Sequence, residues 1–316
     1  MRAQREVWGQ TLANLAREDE RVLVIDGDLA TSTRADLVAD QAPGSFIQAG
    51  IAEQNMVGMA FGLTTMGYRP WLSSFSVFLT HRCLDQTRML VSQTKAPVRF
   101  AAAYSGLLNG SSGKTHQDLT DIAIMRSMPH MTVLAPADEV EAEAVIRWAA
   151  DHDGPVYVRL ARDAVPPVFE ESYAFRPGEP RLVNDGDDVT IISTGVQTAR
   201  VRESVRLLAE QGVSARLVHL ATIKPVDERA LIAFVAAAPL VVTVEEHSVI
   251  GGLGGLVSEI LAPLADAPPL ERIGLADGWS ESAPNGFLLD KYGLAPEKVA
   301  AKIVDLLGEH KTRTLQ

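Results

Sequence analysis

The chain has 316 residues, 47% of them hydrophobic and 22% charged, with a net charge of −11. This composition fits a soluble globular protein large enough for two cored domains. It argues against a broad nucleic-acid or anionic-membrane surface while still permitting a local basic pocket. Cys83 is the only cysteine, which excludes an internal disulfide. No run approaches a membrane span and the first residues have no signal-like apolar core, so the expected location is cytoplasmic.

In chain order, Val7, Thr11, Leu12 and Leu15 give a helical period over Glu6 to Arg17. R-V-L-V-I-D-G-D, Arg21 to Asp28, reads as a buried parallel strand, apolar without alternation. A short apolar run from Phe46 ends at Glu53, where helical spacing takes over through Met56, Val57, Ala60, Phe61 and Leu63. Gly58 and Gly62, four apart, share one helix face and leave room for another backbone. A carboxylate at this junction is costly to bury; a first-turn Glu favoured by the helix dipole is the plainer reading.

A helix is predicted over Phe78 to Gln93 and another over Asp138 to Ala150, with strands at Pro97 to Tyr104, Met131 to Pro136 and Pro155 to Leu160. From Val165 to Asp188 Pro, Gly and acidic residues dominate, which marks a linker. Beyond it V-T-I-I-S-T, A-R-L-V-H-L and L-V-V-T-V-E-E read as strands. Helices are expected near Thr198 to Gln211, Asp227 to Ala237, Leu253 to Leu261 and Pro296 to Leu307, and H-K-T-R-T-L-Q as a loose tail. The alternation predicts two doubly wound, mostly parallel α/β domains, residues 1–166 and 188–316, joined by linker 167–187.

The stretch Y-S-G-L-L-N-G-S-S-G-K-T-H-Q-D, Tyr104 to Asp118, contains a G-K-T that invites a phosphate loop. The template needs a glycine where Leu108 stands, and its side chain obstructs the backbone cradle, so that reading fails. Asp26-Gly27-Asp28 and Asp185 to Asp188 are ordinary turns. The glycines at 251, 252, 254 and 255 do not fit G-x-G-x-x-G and instead suit a tight turn with close helix packing. There is no G-x-S-x-G, no H-E-x-x-H and no zinc-type cysteine cluster. Phe75, Phe78 and His81 fall on one side if their segment is helical, which core packing alone would explain.

Taken together and in order, G-I-A-E-Q-N-M, F-S-V-F-L-T-H-R and G-K-T-H-Q-D-L-T-D-I-A-I-M-R resemble the C-terminal half of transketolase. T-V-E-E-H-S-V-I-G-G-L-G-G resembles that family's last domain. The resemblance implies a thiamine diphosphate enzyme that transfers a two-carbon ketol unit from a ketose phosphate to an aldose acceptor. It covers the pyrimidine-binding and C-terminal domains only; the G-D-G segment that holds the diphosphate and its Mg2+ is missing. The chain therefore looks like one subunit of a split enzyme, completed by an N-terminal subunit in an α2β2 heterotetramer.

Residue by residue, the resemblance makes Glu53 the acid that hydrogen-bonds the pyrimidine ring nitrogen. For that the carboxyl has to carry a proton near neutral pH, which burial at an apolar subunit interface favours and the helix N-terminus opposes; burial is expected to prevail. The resemblance further implies that the ring amine, as its imino form, activates the thiazolium carbon, and that the cofactor acts as the electron sink. Phe75, Phe78 and His81 match pyrimidine-pocket positions, with Phe78 the stacking candidate and His81 standing where many relatives have Tyr. His116 matches the T-H-Q histidine that contacts the donor's reacting oxygens. Asp28 matches a cofactor-lining position, Ser32 a substrate-phosphate position and Arg162 a phosphate-binding arginine; Arg5 is a second arginine of that kind, with Arg2 its competitor.

Ser112 stands where the family usually has an Asp that reads a substrate hydroxyl, and Tyr104 near a phosphate-contacting His. Both departures speak against the ordinary pentose-phosphate preference. The rivals are the β subunit of a 2-oxoacid dehydrogenase, which shares the fold and the Glu, and a non-catalytic α/β scaffold. G-K-T-H-Q-D and Arg162 favour the sugar reading.

Overall fold

The computed structural model describes the backbone of residues 1–314 and the side chains of residues 1–310. Its strands are β1 (Val22–Asp26), β2 (Phe46–Gln48), β3 (Arg69–Phe75), β4 (Arg99–Ala103), β5 (Thr132–Leu134), β6 (Val156–Leu160), β7 (Arg181–Asn184), β8 (Val189–Ser193), β9 (Ala215–His219), β10 (Thr222–Lys224), β11 (Val241–Ser248) and β12 (Leu270–Leu275). They form two α/β sheets. The first has the order β10-β5-β6-β4-β3-β1-β2 and the second β12-β11-β8-β9-β7. All neighbours run parallel except β10 on β5 and β7 on β9.

The strands β1, β4 and β6 are buried along their whole length. Their unbroken apolar runs follow from helices covering both faces of the first sheet. On one face Val7, Trp8 and Leu12 of the Gln4–Glu18 helix meet Val145, Ile146 and Ala149 of the Glu139–Asp151 helix over Val24 and Val158. Asp138 caps that second helix, accepting the Glu141 N–H at 2.9 Å. On the other face Met56, Val57 and Ala60 of the Glu53–Thr65 helix pack on Ile25, Leu72 and Phe100. This cluster continues without a break into Val218, Ile223, Leu253 and Val257 of the C-terminal half.

Local differences from the sequence reading have identifiable causes. The helix expected over Phe78 to Gln93 is split into Ser76–His81, Leu84–Gln86 and a π-helical turn Thr87–Ser92, because Cys83 leaves helical geometry with φ −113° and ψ 22°. The stretch read as linker contains β7, an antiparallel edge strand on β9. A strand of the C-terminal half, β10, joins the first sheet instead of the second, and Lys224 Nζ donates to the Arg126 carbonyl at 3.0 Å. The final helix runs Pro296–Thr314, through most of the expected tail; residues 315–316 lie outside the described residues. Among the described residues no helix is long and apolar enough to cross a membrane.

Candidate active site

The candidate residues gather at the C-terminal ends of the first sheet's strands, where open α/β sheets place their ligands. Phe75 closes β3, Tyr104 follows β4, and Arg162 lies just past β6. Glu53 is the first residue of the helix that follows β2. Strand ends supply rigid backbone, and the residues after them are free to carry polar side chains.

Glu53 is only 3% exposed, yet its partner comes from another segment. Arg82 Nη1 donates to both its carboxylate oxygens at 3.0 and 3.2 Å. The same guanidinium lies 3.9 Å above the centroid of the Phe78 ring. The sequence places this acid at an apolar subunit interface and does not single out Arg82; the only signal for it is that a buried carboxylate requires a partner.

His81 is exposed, with Thr80 Oγ1 3.3 Å from Nδ1 and Thr120 Oγ1 3.4 Å from Nε2. Both hydroxyls also reach Asp118, at 2.6 and 3.2 Å. Burial, and then the neighbouring Asp121, pushes the Asp118 carboxyl up. Asp118 thus ties the His81 ledge to the loop that carries His116.

His116 is half-buried, and its ring stands edge-on to Phe78 (centroids 5.4 Å apart) and Phe75 (6.0 Å). Its Nδ1 lies 2.9 Å from the Thr115 hydroxyl. Phe75 in turn stacks on Tyr104 at 4.1 Å. Tyr104 holds φ +58°, an unusual conformation for a bulky side chain and one that clusters at functional sites.

Next to the aromatic group lies a basic one. Arg5 donates to the Tyr104 hydroxyl at 3.1 Å, to the Ser32 carbonyl at 2.6 Å and to the Arg162 carbonyl at 3.1 Å. Arg162 and Arg5 both stand about 5.5 Å from the Tyr104 ring centre. Arg5, Ser32, Tyr104 and Arg162 are therefore one cluster. Arg2 is elsewhere, paired with Glu139 at 3.2 Å. Asp28 is exposed at φ +65°, its N–H received by Gln48 Oε1, and among the described residues no hydrogen bond or ion pair joins its carboxylate to Glu53 or the arginines.

A concavity of about 1010 Å³, lined by Pro166, Arg202 and Ala209, contains none of these residues. The candidate residues lie instead on an open ledge outside that concavity.

The family model for the pyrimidine-binding domain of transketolase matches residues 1–167, and that for the transketolase C-terminal domain matches residues 178–299. The chain belongs to the transketolase family. It is similar to a protein of Methanocaldococcus jannaschii provisionally named a transketolase C-terminal section, 41% identical over 303 residues that cover 95% of each chain. It is also similar to the 6-deoxy-6-sulfo-D-fructose transketolase subunit of a Clostridium species, 35% identical over 93% of this chain and 91% of that one. A solved structure described as a split-gene transketolase in an inactive β4 tetramer is 39% identical, with a TM-score of 0.88 over 97% of this chain and 98% of that one.

Transketolase-family membership carries thiamine diphosphate dependence. The residues fit the pyrimidine end of that group. The Arg82 guanidinium touches the Phe78 face and Glu53 at once, so one planar group can span the two; it donates to the carboxylate, whereas a ring nitrogen there would accept from the carboxyl. Among the described residues no three His, Cys, Asp or Glu side chains come together as a metal site.

Proposed function

We propose that this chain is the pyrimidine-binding subunit of a two-chain transketolase, moving a two-carbon ketol unit from a ketose phosphate to an aldose acceptor. Thiamine diphosphate supplies the carbanion chemistry when bound. Glu53 anchors the pyrimidine ring nitrogen through its carboxyl, and Phe78 provides the stacking face, an offset contact worth about 1 kcal/mol beyond the area it buries. For that ring to lie on Phe78, the Arg82 guanidinium gives up its place. Phe75 and His81 border the same pocket, and Asp28 lines it from the end of β1. His116 shares or passes a proton at the donor's oxygens. Arg5 and Arg162 take the substrate phosphate beside Ser32 and Tyr104, the planar guanidinium being suited to a two-point grip.

The observation that carries this reading is the adjoining of two groups: the Glu53–Phe78–His116 ledge and the Arg5–Tyr104–Arg162 cluster. A sugar phosphate needs both, whereas a chain serving a lipoyl domain has no use for the second. The split form is supported by the near-full-length match to separately encoded relatives. It is also supported by an exposed apolar rim around the Glu53–Thr65 helix, with Ile51 72% and Met66 73% exposed. The partner is an N-terminal subunit that grips the diphosphate and Mg2+, in an α2β2 assembly.

The test mixes this chain with the N-terminal subunit, thiamine diphosphate and Mg2+ and follows ketol transfer between sugar phosphates. Transfer is expected only with both chains present. Reduction of a lipoyl domain without sugar transfer would move the chain to the 2-oxoacid dehydrogenase class. No turnover of either kind would leave a scaffold.

A further inference from the structure

We infer that Glu246, in the C-terminal half, is a positioning residue that sets where His116 stands by gripping the backbone of its loop. The inference rests on the reading of His116 given above. It assigns the C-terminal half a role in the reaction although none of its residues lies on the ledge.

The His116 side chain has few contacts of its own: one hydroxyl, on its sequence neighbour, and the edges of two rings. Its position is therefore inherited from the backbone of residues 104–118. That segment leaves β4 through two left-handed residues, Tyr104 (φ +58°) and Gly106 (φ +82°). A single backbone bridge, Gly106 to Asp118, closes its base. The buried N–H groups of Leu107 and Leu108 point out of their own domain.

Both meet Glu246 Oε1, at 2.7 and 3.3 Å. Glu246 Oε2 accepts from Arg200 Nη1 at 2.7 Å, and the Glu246 carbonyl from Arg159 Nη2 at 2.8 Å. Arg159 is itself held by Asp121, of the first half, at 2.8 Å. The carboxylate is 1% exposed, so these bonds act in a low dielectric and hold one geometry. Gly106 is required here twice over: its φ is left-handed, and a Cβ would run into the Glu246 carboxylate.

The same half holds the loop at two further points. Asn285 accepts the Gly110 N–H at 3.0 Å and donates to the Leu108 carbonyl at 3.2 Å. Ser280 donates to Gln117, the residue after His116, and Gln117 donates to the Leu107 carbonyl at 2.8 Å. A grip that served only to join two domains would fall on their cores. This one falls on the loop on both sides of the imidazole, on the backbone of Leu107, Leu108 and Gly110 before it and on the Gln117 side chain after it. A shift of about 1 Å there can cost on the order of 100-fold in rate.

The experiment uses the assembled two-chain enzyme with thiamine diphosphate and Mg2+. Glu246→Ala is expected to lower kcat at least about tenfold while thiamine diphosphate affinity stays within about twofold, because Glu53 and Phe78 are not on the loop. Glu246→Gln, which keeps a carbonyl oxygen for the two N–H groups, recovers most of the rate. In a His116→Ala background Glu246→Ala costs little more, since it acts through the missing ring. On the chain alone, Glu246→Ala speeds hydrogen exchange at Leu107 and Leu108 but not in β1. Asn285→Ala, an independent attachment, lowers kcat in the same way should Glu246→Ala fail to fold. Wild-type kcat in Glu246→Ala, a parallel loss of cofactor affinity, or full additivity with His116→Ala overturns the proposal. Wild-type kcat in His116→Ala overturns the reading of the imidazole itself, an outcome told apart because Leu107 and Leu108 exchange would still respond to Glu246→Ala.

Discussion

Arg82 and Glu53 form a lopsided pair: the arginine side chain is 45% exposed, the glutamate 3%, and one guanidinium nitrogen touches both carboxylate oxygens. A half-exposed arginine covers a buried acid. Because Arg82 also lies on the Phe78 ring, it covers both features that a pyrimidine would use.

Removing that arginine leaves a buried carboxylate with no cation. Arg82→Ala is expected to destabilise the lone chain by about 1 kcal/mol, a modest figure because the arginine is nearly half in water. Urea unfolding at low salt and at high salt checks this; the gap between wild type and variant should narrow in high salt as the pair is screened.

Glu53→Gln keeps the shape of the side chain but not its acid. In the assembled enzyme ketol transfer should fall by at least about 100-fold, within the range of a lost proton-transfer group. Assembly, followed by sedimentation, should be unchanged. Normal turnover in this variant would refute the role assigned to the carboxyl.

Gly58 and Gly62 have open space where a Cβ would stand, so among the described residues none uses the gap. Gly58→Leu should leave the lone chain at least as stable, since glycine inside a helix costs roughly 0.5–1 kcal/mol relative to Ala. Binding of the N-terminal subunit should weaken at least about tenfold if another backbone packs there. Thermal melting of the chain and titration with its partner separate the two effects.

His247 provides a pH prediction. It is fully buried, with Nδ1 2.7 Å from the Ser248 carbonyl, and Asp121, Glu245 and Arg159 around it. Burial, then the Arg159 charge, pushes its imidazole down to about 4. Unfolded, the ring takes its proton near 6.5. Between those values the unfolded chain binds more protons, so this contribution to stability is present above pH 6.5 and lost as pH falls towards 4. The full loss is about 3 kcal/mol at most. Glu245 beside it, pushed up to about 7 by burial, contributes with the opposite slope, favouring the fold at acid pH and losing that as pH rises through about 7. Denaturant unfolding of wild type against His247→Asn from pH 7 to 4 isolates the histidine, and parallel curves would sink this account.

Local pattern alone determined much of the fold. β1, β4 and β6 are legible as unbroken apolar runs, and the Leu253–Leu261 helix by its period, because burial on a helix or strand leaves its mark within a few residues. The Phe75–Phe78–His81 spacing was legible only in part: Phe78 and His81 share the Ser76–His81 helix, but Phe75 ends β3 with extended backbone. Motif order pointed further, to the family. What only the tertiary structure decided are relationships without a local period. β10 crosses to the first sheet, Arg82 meets Glu53 from 29 positions away, and Glu246 grips Leu107 from 139 positions away. Each satisfies a buried polar group, and a buried polar group dictates that a partner exists without dictating which one; the path of the folded chain makes that choice.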